Sequence, residues 1–208
     1  MTRPLFDRRT AIAGIWACLA AIALAVAGLF PRIASAAGDE ATIQRTADLI
    51  NTIRKRLDAC GEEGMLAVSA SGAPRARHTN AVPGIAARPG LTWNPLLAET
   101  ARRHSESMAR EGYFDHVDSE GRTVGARARA AGYRYRVVGE NLAAGHASIE
   151  EAIRGWLLSA SHCRNLIDER FTEFGIARVQ SERPDDRYGA YWTLVLGVQQ
   201  GTQVMSSR

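Results

Sequence analysis

The sequence predicts an α+β fold arranged as a three-layer αβα sandwich, with a small antiparallel sheet between helices. Three observations point there. Apolar residues recur at helical spacing through the first part of the patterned region. Two strand-like runs close it, the first apolar with a glycine and the second rich in aromatic and β-branched residues, and a polar stretch of hairpin-loop character separates them.

The first helix is expected over Glu40 to Leu57. Ile43, Ala47, Ile50, Ile53 and Leu57 share one face, and Arg45, Arg54, Lys55 and Arg56 take the other, until Gly61 and Gly64 stop it. Residues 65–90, rich in Gly, Pro, Ser and Ala without a period, read as a loop-rich insert. A second helix starts after Asn94, an N-cap followed by Pro95 at the first helical position. Leu97, Ala101, His104 and Met108 form its apolar face, which makes His104 a core histidine, and Gly112 ends it. A third, short helix is expected over Gly121 to Ala131. Ser148 caps a fourth, with Glu151 completing a capping box and Ile149, Ala152, Ile153, Trp156 and Leu157 inward. Helix resumes at Asn165 to Ile167 after a break. Phe174 to Val179 and Tyr191 to Val198 are the strands, joined through Ser181 to Tyr188.

Ahead of this domain stands a segment with the three parts of a secretory signal peptide. Arg3, Arg8 and Arg9 are basic, Ala11 to Phe30 is apolar, and Ala34-Ser35-Ala36 fits the cleavage pattern. An apolar run of this length also suits a membrane anchor. Its Ala and Gly content and Pro31 favour cleavage, so no stable membrane span is expected afterwards. Residues 1–36 are thus the signal peptide and 37–208 a single domain, with a patterned core of about 42–199. Its expected destination is secreted or periplasmic.

Removing the leader changes two arguments. The chain has 26 basic and 22 acidic residues; the leader holds four basic residues (Arg3, Arg8, Arg9, Arg32) and one acidic (Asp7), leaving 22 against 21. No stripe of Lys and Arg remains to argue for a nucleic-acid partner. Cys18 leaves with the leader, so Cys60 and Cys163 remain as an isolated pair. In an oxidising compartment the pair reads as a disulfide closing a loop of roughly 100 residues, with Cys163 as nucleophile or metal ligand the alternative.

His116, Glu140 and His162 are the candidate chemistry-bearing residues. Two imidazoles and a carboxylate suit an open zinc site, or an acid–base pair oriented by a carboxylate. Their intervals of 24 and 22 residues match no local metal motif, so spacing alone does not bring them together.

A series of short segments adds to this reading. Leu91-Thr92-Trp93-Asn94, Ala101-Arg102-Arg103-His104-Ser105, Phe114-Asp115-His116, Ala131-Gly132-Tyr133 and Gly139-Glu140-Asn141-Leu142-Ala143 come in order. Trp156-x-x-Ser159-x-x-His162, Phe174-Gly175-Ile176 and Tyr191-Trp192 follow. In that order they resemble the CAP superfamily (cysteine-rich secretory proteins, antigen 5 and pathogenesis-related proteins) in its bacterial SCP-domain branch. The resemblance implies an αβα sandwich with a cleft lined by two histidines and two acidic residues, the histidines binding zinc in several members. It maps His116 and His162 onto the histidines and Glu140 onto one acid, with Asn141 beside it. The second acid falls at Ser159, which supplies no carboxylate. Two functions follow as expectations. One is an exported, monomeric module whose cleft takes a metal, a small or lipid-like ligand, or an envelope partner. The other is a zinc-dependent or acid–base hydrolase of peptides or cell-wall material.

Overall fold

The computed structural model describes residues 40–56, Cys60 and 88–201. The expected signal peptide at 1–36 and nearly all of the insert at 65–90 lie outside the described residues. Among the described residues, five helices and four strands follow in the order α1 (Glu40–Arg54), β1 (Thr92–Trp93), α2 (Pro95–Glu111), α3 (Val124–Ala130), β2 (Tyr135–Ala144), α4 (Ile149–Leu158), α5 (Ala160–Ile167), β3 (Glu173–Gln180) and β4 (Ala190–Gln199). No helix among them is long and apolar enough to cross a membrane.

The strands form one sheet in the order β1-β3-β4-β2. The pairs β3/β4 and β2/β4 are antiparallel, whereas β1 runs parallel to β3 through Thr92↔Glu173 and Trp93↔Phe174. The sheet is therefore mixed rather than purely antiparallel. Two-residue alternation along β4 divides the core into layers. Trp192, Leu194 and Leu196 join Ile50 and Ile53 of α1, Ile153 and Trp156 of α4, and Leu166 of α5 on one face. Val195 joins Leu97 and Ala101 of α2 and Ala128 of α3 on the other. The result is the αβα sandwich.

Local chemistry explains most element boundaries. Asn94 Oδ1 accepts from the Leu96 and Leu97 amides at 2.9 and 3.4 Å, and Pro95 enters the first turn of α2 without a donor to satisfy. Gly112, at φ 73°, ends the helix in a left-handed cap whose N–H donates to the Met108 carbonyl. Ser148 Oγ accepts from the Glu151 amide at 3.3 Å, and Glu151 reaches back to the Ala147 amide at 2.8 Å. The indole N–H groups of Trp156 and Trp192 donate to the Leu142 and His146 carbonyls, so both rings are satisfied core residues. Where α2 crosses the sheet, β3 carries Gly175, and a Cβ there would overlap the Ala98 backbone.

Two assignments from the sequence require correction. Arg54, expected on the solvent face of α1, is 1 % exposed. Its guanidinium donates from Nε to the Pro89 carbonyl (2.8 Å), from Nη1 to Leu166 (2.8 Å) and Asp168 (3.0 Å), and from Nη2 to Phe171 (3.1 Å). Burial pushes its pKa down to about 10, which leaves it charged at neutral pH. Helical period alone does not distinguish such an anchor from a surface cation. The second correction is β2: Tyr135–Ala144 forms a ten-residue strand with a register irregularity between Tyr135 and Val137. The sequence reading assigns no strand there.

Candidate functional site

On β2, Glu140 and Asn141 are neighbours, so strand pleating sends their side chains to opposite faces. They pair across the sheet with Val195 and Leu194. Asn141, fully buried, donates from Nδ2 to the His162 carbonyl at 3.0 Å. Its Oδ1 accepts from Asn165 Nδ2 at 2.9 Å, and the same Asn165 amide donates to the Glu140 carbonyl at 3.1 Å. These amides hold α5, and His162 on it, against β2.

Glu140 turns toward the α2–α3 side. Its Oε1 is 2.8 Å from His116 Nδ1, in the loop after α2, and its Oε2 accepts from Arg127 Nη2 of α3 at 2.7 Å. The carboxylate is 2 % exposed and the Arg127 side chain 5 %, whereas the His116 side chain is 57 % exposed. The arrangement is thus a buried ion pair that orients an accessible ring. The rings of His116 and His162 lie 6.4 Å apart, centroid to centroid. Three residues spread over 46 positions therefore converge beside β2, an edge strand of the sheet.

The two imidazoles differ electrostatically. Hydrogen bonding to Glu140 raises the His116 pKa above the ordinary imidazole value, outweighing partial burial. Partial burial, and then the nearby His116, lower that of His162. His162 is thereby kept as a neutral donor, while His116 carries a proton more readily.

His104 is a core residue, as its place on the apolar face of α2 predicted. Its Nε2 contacts the Asp115 carbonyl at 2.9 Å and lies 4.0 Å from Glu140 Oε1. Ser159 stands at the break between α4 and α5 with an extended backbone (φ −92°, ψ 117°), its Oγ 3.2 Å from Ser161 Oγ. Sequence reasoning missed Arg127. It is one of three arginines in a short Arg/Ala-rich stretch, and nothing in the pattern marks it as the buried one.

A metal would draw on two imidazoles. Among the described residues, no group of three or more His, Cys, Asp or Glu side chains is placed to hold an ion. Were an ion held here, His116 and His162 would be its protein ligands, one fewer than an open zinc site ordinarily has, and Glu140 would be the outer partner on His116 Nδ1. Cys163 does not contribute. It forms a disulfide with Cys60, with Cα atoms 5.7 Å apart across 103 positions.

Known proteins resemble parts of this chain. The chain is 30 % identical over 103 residues to the Bacillus subtilis protein YkwD, covering 50 % of this chain and 37 % of that one. It is 31 % identical over 86 residues to the Bacillus subtilis membrane protein YlbC, covering 41 % and 25 %. It therefore spans well under half the length of these relatives. Among solved structures, an extracellular SCP-domain protein of Bacillus anthracis superposes with a TM-score of 0.52 at 25 % identity, over 77 % of this chain and 41 % of that one. Residues 47–196, which include β1 to β3, most of β4 and His116, Glu140 and His162, match the Cysteine-rich secretory protein family, and the chain belongs to this CAP family.

Proposed function

We propose that this is an exported CAP-domain binding module whose His116–Glu140–His162 cleft takes up zinc, a small or lipid-like ligand, or a cell-envelope partner. The observation that favours binding over hydrolysis is the state of Glu140. Its carboxylate is 2 % exposed and both oxygens are already engaged, Oε1 by His116 and Oε2 by the buried Arg127, so a water to be activated has little access to it. Ser159 adds no second carboxylate, so an acid–base pair of the kind the family suggests is incomplete. Export is supported by the Cys60–Cys163 disulfide, a bond suited to oxidising compartments, and by the likeness to an extracellular SCP-domain protein. Zinc bound by His116 and His162 would supply Lewis acidity to whatever oxygen or nitrogen completes its coordination.

The test is metal analysis of the purified domain after zinc loading and dialysis, alongside the His116→Ala/His162→Ala double variant. One zinc per wild-type chain and none in the variant is expected; equal content in both removes the metal from the proposal. Zinc-loaded wild type is also expected to leave peptides and peptidoglycan fragments intact. Turnover that disappears in the double variant would replace the binding reading with the hydrolase.

A further inference from the structure

His116 lies between α2 and α3 in a loop that belongs to neither helix nor strand, yet its ring, its carbonyl and the carbonyl before it are each held by a side chain from a neighbouring element. His104, rooted in α2 and fully buried, holds the Asp115 carbonyl. Arg127, rooted in α3, donates from Nη1 to the very next carbonyl, that of His116, at 3.0 Å, and to Arg122 at 2.6 Å. From Nη2 the same guanidinium holds Glu140 Oε2 at 2.7 Å, and Glu140 Oε1 in turn receives the His116 ring at Nδ1. One planar cation therefore fixes both the backbone of His116 and the carboxylate that orients its ring.

The fork geometry matters here. A guanidinium offers donors in fixed directions and satisfies two acceptors at once, whereas an ammonium is a compact point charge. A carboxylate accepting at an imidazole nitrogen fixes the tautomer, with the proton on the facing nitrogen and the lone pair on the other. We propose that Arg127 is a positioning residue that locks His116 as its Nδ1–H tautomer, so that the Nε2 lone pair is presented outward to a ligand. The ligand-binding role of His116 rests on the function proposed above; the tautomer does not.

The experiment is long-range proton–nitrogen NMR of the histidine rings in the oxidised domain at mildly alkaline pH, on wild type, Arg127→Gln and Arg127→Lys, followed by zinc titration of each. Wild type is expected to show His116 in a single Nδ1–H form. Arg127→Gln is expected to mix the tautomers and weaken zinc binding by about tenfold, the low end for loss of an outer-shell partner. Arg127→Lys, which keeps the charge but not the fork, is expected to fall between. Wild-type tautomer and affinity in a folded Arg127→Gln protein would overturn the proposal. If circular dichroism shows Arg127→Gln unfolded, Arg127→Lys decides, and a wild-type spectrum there overturns it equally. A fixed tautomer in wild type that is lost in the variants, with no zinc bound by any of them, would sink the metal reading and leave the positioning role standing.

Discussion

Replacing Arg54 by methionine tests whether a single buried cation secures the helix that carries His162. The substitution keeps an unbranched side chain but removes donors from four carbonyls. Two of these bonds, to Leu166 and Phe171, are buried, and two, to Pro89 and Asp168, are partly accessible. The accessible carbonyls regain water at little cost. The buried pair is left unsatisfied at about 1–3 kcal/mol each. Relief from burying a guanidinium works in the opposite direction. The expected net loss is about 3 kcal/mol, a large share of a typical domain's stability of about 5–15 kcal/mol. Urea denaturation of the oxidised protein, with the slope unchanged, reads it directly. The Leu166 and Asp168 carbonyls lie at the C-terminal end of α5, where a cation also complements the helix dipole. Amide exchange is therefore expected to rise in α5 before it rises in α2. A methionine variant within about 1 kcal/mol of wild type, or more stable than it, would refute this reasoning.

Three further outcomes follow from the fold. Reduction of Cys60–Cys163 is expected to lower stability by about 4–5 kcal/mol on the chain-entropy argument for so long a loop, measured by melting with and without reductant. Gly175→Ala forces a methyl group into the Ala98 backbone, and a loss of about 3 kcal/mol or more is expected in urea. His104 has its pKa lowered, chiefly by burial. The folded state therefore declines a proton that the unfolded chain accepts below about 6.5, and stability falls as pH drops through that value. The difference between wild type and His104→Gln is expected to change with pH below 6.5, by at most about 1.4 kcal/mol per pH unit, and a flat difference would contradict it.

The helices were legible where the chain carries its own punctuation. Asn94-Pro95 and Gly112 bound α2 because capping is local chemistry, and Ser148 with Glu151 opens α4 for the same reason. β2 was not legible. Its polar residues Glu140 and Asn141 are adjacent and buried, so no alternation marks it, Gly139 interrupts it, and its strand character comes from pairing with β4, from Ala144↔Tyr191 to Tyr135↔Gln199. The parallel partner β1 is two residues long, too short to leave a period. At the site, residue order and the family's motifs singled out His116, Glu140 and His162, but spacing did not bring them together; the sheet register and α5 do. Arg54 and Arg127 escaped for one common reason. A buried arginine is made by the acceptors around it, and these come from distant parts of the chain.

The asparagine amides beside β2 have one more consequence. An outermost strand ordinarily offers its backbone to any extended segment that drifts alongside, which invites sheets to join edge to edge. Here the Glu140 carbonyl is already taken by Asn165, and Asn141 ties the same stretch to the His162 carbonyl. A foreign strand pairing at that position would compete with the Asn165 amide for the Glu140 carbonyl. The contacts that set His162 beside His116 thus also occupy a backbone acceptor of the edge strand that an added strand would otherwise use.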